Sequence, residues 1–153
     1  QQLGFRAKVV SPALIESAVR NGVIFAGFRS DMAEVYGALD VFVLASHREG
    51  FPYSAMEAAA AGLPIVTTDV RGCRQVVTDR VNGLLVPVRS VGRLREALET
   101  LVGDPDLRAR LGAASGQRAM EEFDQRAVVA RVFHCYDEVA ERRGLAHPAD
   151  PRD

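Results

Sequence analysis

Short apolar segments alternate with longer segments of helical period along most of the chain. Four apolar runs are rich in Val, Ile, Leu or Phe and lack strict polar alternation, namely residues 23–26, 41–45, 64–67 and 83–86. Such runs are typical of strands that are buried on both faces of a parallel sheet. The pattern therefore predicts an α/β class, with a Rossmann-like parallel sheet flanked by helices.

The segments around these runs have the spacing and the end signals of helices. Asp31 or Ser30 is suited to begin one helix, and Gly62 followed by Pro64 is suited to end another. After Pro87, two amphipathic stripes of leucine are joined by a short G-D-P-D connection. Predicted helices cover residues 12–20, 31–39, 53–61, 72 or 73 to 77, these two stripes, and about 125–142.

Residues 1–143 are predicted to form one domain that begins partway into a βαβ series and is therefore incomplete at its N-terminus. Residues 144–153, G-L-A-H-P-A-D-P-R-D, offer little apolar surface and contain two prolines. This composition predicts a disordered tail.

Composition and charge argue against several kinds of binding partner and against a metal site. The chain has 153 residues, of which 48% are hydrophobic and 25% charged, and a net charge of −1. It therefore lacks the global positive field that would attract nucleic acid or an anionic membrane. Cys73 and Cys135 lack the spacing of metal ligands and are predicted to be small buried hydrophobes. With no long apolar stretch or signal peptide, these features predict a cytoplasmic protein without a metal site.

Candidate chemistry is concentrated in residues 41–69, which read as strand, loop, helix, turn and strand. The loop S-H-R-E-G-F-P follows the carboxyl end of the predicted strand, where open α/β sheets bind ligands. Gly50 is expected to adopt backbone angles closed to other residues and to let a ligand approach. The amides of residues 51–54, at the positive end of the helix dipole, would suit a diphosphate.

Glu49 and Glu57 stand eight positions apart and could face one cleft. Carboxylates accept hydrogen bonds from vicinal hydroxyls, which both sugars and ribose present. Spacing alone leaves an alternative open, in which Glu49 is a solvated loop residue and Glu57 is an acid favoured near a helix N-terminus. His47 is interpreted as a loop histidine rather than a general base, because no nucleophile or orienting group lies near it in the sequence.

The segment E-G-F-P-Y-S-A-M-E-A-A-A-A-G-L-P-I-V resembles the signature of glycosyltransferase family 4, a glutamate, seven residues and a second glutamate. The similarity continues through V-I-F-A-G-F-R-S before it and through T-D-V-R-G-C-R-Q-V-V and V-N-G-L-L-V-P after it. It covers about residues 22–143. This resemblance implies the C-terminal, donor-binding half of a GT-B fold that transfers sugar with retention of configuration and without a metal or other cofactor.

The resemblance also implies roles for particular residues. Glu49 is the expected catalytic position and would contact the donor sugar, Glu57 would hold the ribose, and Phe28 with Arg29 would lie near the nucleobase. The expected contacts to a UDP- or GDP-linked sugar are Glu49, Gly50, Phe51, Pro52, Tyr53, Glu57, Phe28 and Arg29.

Two departures from the family pattern matter. No basic pair that would grip the diphosphate is evident before Gly22, and the acceptor-binding N-terminal half is missing from the sequence. The chain is therefore expected to be a fragment that is inactive in transfer by itself. It is also expected to self-associate weakly through its exposed cleft wall. The resemblance further implies that it comes from an enzyme of polysaccharide, capsule or glycolipid synthesis at the inner face of the membrane. Arg71 and Arg74 are interpreted as solvent-facing residues at a helix start rather than phosphate ligands.

Three alternatives to a transferase half remain open at this point. One is a module that binds a nucleotide-sugar without turning it over. Another is a GT-B-fold epimerase or hydrolase of nucleotide-sugars, and the third is a purely structural role.

Overall fold

The computed structural model of the protein describes residues 10–145. The chain divides into two units, residues 1–32 and residues 33–153. The prediction of one domain over residues 1–143 stays a prediction. The disordered tail was predicted for residues 144–153, and residues 146–153 of it lie outside the described part of the chain.

In the first unit, helix α1 covers Pro12–Arg20, as predicted. Ser11 caps it by accepting a hydrogen bond from the Leu14 amide, 3.3 Å away. The strand predicted at residues 23–26 is wrong, because the described residues contain no strand there. Ile24 and Phe25 are 87% and 60% exposed. An apolar run becomes a strand only when a neighbouring strand accepts its backbone hydrogen bonds, and residues 23–26 have no such neighbour in the described chain.

In the second unit, three parallel strands form a sheet in the order β1-β2-β3. Strand β1 covers Phe42–Leu44, β2 Ile65–Thr68 and β3 Gly83–Val86. Central strand β2 is buried along its whole length, as a strand covered on both faces must be. The other three strand predictions are therefore confirmed to within a residue or two at their ends.

Helices connect and cover these strands in the βαβ manner. Those that follow α1 are α2 Met32–Gly37, α3 Tyr53–Ala60, α4 Arg71–Val76, α5 Val91–Gly103, α6 Pro105–Glu122 and α7 Gln125–Arg142. Each predicted helix is present, although α2 ends two residues before Leu39.

The core lies on both faces of the sheet. Successive β2 residues point to opposite faces, so Ile65 packs with Ala55 and Ala59 of α3, and Val66 packs with Leu101 and Leu111 from α5 and α6. The sheet therefore has helical layers on both sides, which confirms the Rossmann-like class.

Helix α7, like α1, has no buried residue, whereas each of the helices α2 to α6 has at least one. Cys135 lies on it and is exposed, so the prediction that both cysteines are buried is wrong for this one. Gly144, with φ of +63°, ends the helix, and the Leu145 amide donates to the Ala140 carbonyl over 2.9 Å. This cap satisfies carbonyls of the last turn.

Candidate functional site

Two threonines at the end of β2 hold the start of the loop that follows β1. The Thr67 hydroxyl donates to the Leu44 carbonyl over 2.9 Å. The Thr68 hydroxyl donates to the Ser46 carbonyl and accepts from the Ser46 amide, which lies 3.2 Å away. Both threonines are buried, so these bonds are shielded from water. They fix the start of the loop to the carboxyl edge of the sheet, and no motif in the sequence marks them as part of the site.

Helix α4 approaches the same loop closely at Gly72. A Cβ on Gly72 would lie 2.4 Å from the Glu49 carbonyl oxygen and 2.5 Å from that of Gly50. Real Cβ atoms essentially never come so near, so only glycine fits here. The next residue, Cys73, is buried as predicted, and this burial raises the pKa of its thiol. The backbone at Glu49 is therefore held from two sides, by β2 and by α4.

Glu49 lies half-buried in an open cleft of about 470 Å³. The side chains around this cleft combine one acid, one base, an amide and an aromatic ring, from Glu49, Gly50, Phe51, Arg71 and Gln75. Within residues 10–145 no cation forms an ion pair with Glu49. Its carboxylate oxygens can therefore accept hydrogen bonds from a ligand in the cleft.

Gly50 does not use the backbone freedom expected of it. Its φ is not in the left-handed region, unlike that of four other described glycines. A Cβ at this position would meet nothing within 4 Å. What Gly50 provides is open space beside the backbone, which is the second property predicted for it.

Helix α3 begins beside this cleft with free backbone donors. Pro52 is its N-cap and accepts from the Ala55 amide over 3.1 Å. The amides of Phe51, Tyr53 and Ser54 have no acceptor in the described part of the chain. Since Pro52 has no amide hydrogen, the expected row of donors at residues 51–54 contains a gap at its second position. The remaining amides and the helix dipole suit an anion.

Two aromatic residues flank the helix start. Tyr53 is exposed, while Phe51 packs edge-on against Phe123 at the end of α6, with ring centroids 5.8 Å apart. Phe51 is therefore partly committed to packing, and Tyr53 is available to a ligand.

Glu57 lies on the exposed side of α3, and the hydroxyl of Tyr36 on α2 donates to its Oε2 over 2.9 Å. Tyr36 is 4% exposed. Burial, followed by the neighbouring Glu57 carboxylate, raises the pKa of Tyr36 to about 12. The hydroxyl is thus a stable donor at neutral pH, and the other carboxylate oxygen is left for a ligand. The residues that line the Glu49 cleft do not include Glu57, so a single cleft for both carboxylates stays a prediction.

Phe28 and Arg29 belong to the first unit. Phe28 is 96% exposed, and Arg29 forms an ion pair with Asp31 that lowers the pKa of that carboxyl group. Their expected place near a nucleobase stays a prediction.

The two arginines of α4 differ. Arg74 pairs with Asp69 over 2.7 Å on the surface, which agrees with its interpretation as a solvent-facing residue. Arg71 is exposed too, yet it lines the same cleft as Glu49. His47 is an exposed loop residue.

Residues 10–145 have neither a cluster of metal ligands nor a membrane-spanning helix. No group of His, Cys, Asp and Glu there could hold a metal ion. No helix in that range has the length and apolar content needed to cross a membrane.

Known proteins resemble this chain in both sequence and structure. It is 34% identical over 137 residues to N,N'-diacetylbacillosaminyl-diphospho-undecaprenol alpha-1,3-N-acetylgalactosaminyltransferase of Campylobacter jejuni, an alignment that covers 90% of this chain and 36% of that one. The C-terminal domain of a glycosyl transferase group 1 family protein, LpcC from Francisella tularensis, superposes with a TM-score of 0.65 at 29% identity, covering 74% of this chain and 62% of that one. Anabaena Alr3699/HepE in complex with UDP gives a TM-score of 0.77 at 24% identity, covering 82% and 36%.

A parallel sheet with helices on both faces, and neighbours of this kind, define a Rossmann-like domain of the GT-B glycosyltransferase class. The family model for glycosyl transferases group 1 matches residues 13–118. The chain therefore belongs to the glycosyl transferases group 1 family, and it spans about a third of the Campylobacter relative, 36% of its length.

Proposed function

We propose that this chain is the donor-binding half of a retaining glycosyltransferase and that it holds a nucleotide-sugar at the carboxyl edge of its sheet. The observation that carries the proposal is the anchored loop between β1 and α3, which presents an unpaired carboxylate and free amides next to open space. Family membership and the UDP held by Alr3699/HepE, a protein of the same fold, support it.

Each group has a role that follows from its chemistry. The free amides of Tyr53 and Ser54 suit phosphate oxygens, because they are neutral donors at the positive end of α3. Glu49 accepts from hydroxyls of the transferred sugar, and Glu57 accepts from the ribose hydroxyls through the oxygen that Tyr36 leaves open.

Transfer would proceed without a metal. The nucleoside diphosphate would leave, and an acceptor hydroxyl would attack, on the same face of the sugar, with Glu49 next to the reacting carbon. Stabilisation of the leaving diphosphate by fixed amides would be the main catalytic contribution of this half. The acceptor hydroxyl itself would be placed by the acceptor-binding domain, so the chain by itself is expected to be inactive in transfer.

The name of one relative supports a proposal for the acceptor class. The Campylobacter jejuni protein is named as an N-acetylgalactosaminyltransferase, and its name includes a diphospho-undecaprenol group. This name supports a role in polysaccharide, capsule or glycolipid synthesis, and the UDP held by Alr3699/HepE supports a UDP- or GDP-linked donor. Apolar side chains that remain exposed along α7 support packing against an acceptor-binding domain, namely Val128, Val132, Tyr136 and Val139.

Calorimetric titration of the chain with UDP, GDP and ADP tests this proposal. One nucleotide is expected to bind, and Glu57→Ala should weaken it by about tenfold or more, since a charged hydrogen bond is worth about 1.5–3 kcal/mol. Glu99→Ala, which removes an exposed acid on α5, should leave the affinity unchanged. Failure of all three nucleotides to bind, or equal affinity in Glu57→Ala, would refute the proposal.

A further inference from the structure

Tyr36 and Glu57 form a side-chain hydrogen bond between α2 and α3 that joins positions 21 residues apart. The donor is a buried hydroxyl and the acceptor is a carboxylate on an exposed helix face. The bond therefore connects the rigid interior of the second unit to a group that the proposed function assigns to the ribose.

We propose that Tyr36 is a positioning residue, which fixes the orientation of the Glu57 carboxylate and thereby raises the affinity for the ribose hydroxyls of the donor. This inference rests on the proposed function, because it takes Glu57 as the ribose contact.

Packing explains why Tyr36 can act in this way. Its ring meets Phe42 edge-on, with centroids 6.0 Å apart, and it belongs to a buried cluster with Ala58 and Leu63. A ring enclosed like this has one position, so its hydroxyl oxygen is fixed in space. Tyr36 thus offers Glu57 a stationary donor.

Glu57 needs such a donor because its own side chain is flexible. A glutamate on an exposed helix face samples several rotamers, and a ligand that selects one of them must oppose that loss of entropy. A hydrogen bond formed before the ligand arrives removes part of this cost, which is the usual benefit of preorganisation. The bond occupies Oε2, so the second oxygen remains for the ribose.

A purely structural role makes a different prediction. If Tyr36 only satisfies its own hydroxyl while supporting α3, its loss would weaken binding of every nucleotide alike or leave binding unaffected. If it orients Glu57, its loss would matter only when Glu57 and the ribose hydroxyls are both present. Nucleotides with and without those hydroxyls therefore separate the two roles.

The experiment is a titration of the full chain and of Tyr36→Phe with UDP and with 2′,3′-dideoxy-UDP, or with the GDP pair if the chain selects GDP. Phenylalanine keeps the packed ring and removes only the hydroxyl, and Glu57 is exposed, so no buried charge is left unpaired. Tyr136→Phe, which alters an exposed tyrosine on α7, is the matched control. Thermal denaturation checks that each variant folds.

Tyr36→Phe is expected to weaken UDP about five- to tenfold and the dideoxy analogue less than about twofold. In a Glu57→Ala background it should produce no further loss. Equal losses with both ligands, an unchanged affinity for UDP, or a further loss in the Glu57→Ala background would overturn the positioning role while leaving the proposed function intact. If Glu57→Ala itself binds UDP normally, the proposed function fails and this inference fails with it.

Discussion

Replacement of Gly72 by alanine tests how tightly α4 is packed against the loop that carries Glu49. The added Cβ would lie 2.4 Å and 2.5 Å from two carbonyl oxygens, whereas ordinary van der Waals contact begins at 3.4 Å. Both atoms belong to the backbone and cannot rotate away. Helix α4 and the loop must therefore separate by about 1 Å.

Separation of this size is costly because both partners are anchored. Cys73 lies 3.0 Å from the Thr67 hydroxyl on one side, and Thr68 holds Ser46 on the other. Overpacking of this kind costs about 1–3 kcal/mol. We therefore expect Gly72→Ala to lower the melting temperature by about 3–10 °C and to weaken donor binding through the displaced backbone at Glu49.

Gly92→Ala is the matched control, because each glycine is the second residue of its helix and a Cβ on Gly92 would meet nothing within 4 Å. Alanine favours a helix over glycine by about 1 kcal/mol, so Gly92→Ala should be neutral or stabilising. Urea and thermal denaturation, followed by circular dichroism, measure both variants. If Gly72→Ala is as stable as Gly92→Ala, the close approach of α4 to the loop is wrong.

Three other predictions concern single side chains. Ellman's reagent should modify exposed Cys135 in the native chain and buried Cys73 only after denaturant is added, and equal rates would contradict the assigned burial. Unfolded tyrosine loses its proton near pH 10 and native Tyr36 at about 12, so native stability should fall between these values. In Tyr36→Phe the free energy of unfolding should fall less steeply with pH over this range. The same slope as in the unmodified chain would contradict the raised pKa of Tyr36. Leu101→Ala should lower the free energy of unfolding by about 2–5 kcal/mol in urea denaturation, because Leu101 is fully buried. Val102→Ala, at an exposed position, should lower it by less than about 0.5 kcal/mol. Similar losses for the two variants would argue against this core.

Local pattern was sufficient for most of the fold. The three paired strands were predictable because strands with both faces buried appear as continuous apolar runs. Helix α3 was predictable from Gly62 and Pro64, which end it through their backbone restrictions. The run at residues 23–26 failed because a strand depends on a partner, and no local signal shows whether that partner is present. The predicted burial of Cys135 was wrong for a related reason, because burial depends on what packs over α7.

The candidate site also has a part that the sequence predicts and a part that it does not. Its loop was predictable, because an acid, a glycine and a helix start are adjacent in the sequence. Its supports were not, because the bonds from Thr67, Thr68 and Tyr36 join positions 21 to 23 residues apart. Gly72 could have been noticed as a glycine at a helix start, although only glycine fits there because of the backbone carbonyls of Glu49 and Gly50.

The backbone amides and the arginine side chain of the site differ in charge and therefore in what they can do for a bound diphosphate. A diphosphate brings negative charge beside Glu49, whose carboxylate would repel it unless sugar hydroxyls lie between them. Amides at the start of α3 and the positive end of the helix dipole can hold phosphate and offset part of that repulsion, although they add no full charge. Arg71 is the basic side chain among the residues that line the Glu49 cleft, while Arg74 is already paired with Asp69. If this cleft holds the donor, we expect Arg71 to supply a counter-charge that lets an acid and a diphosphate occupy neighbouring positions.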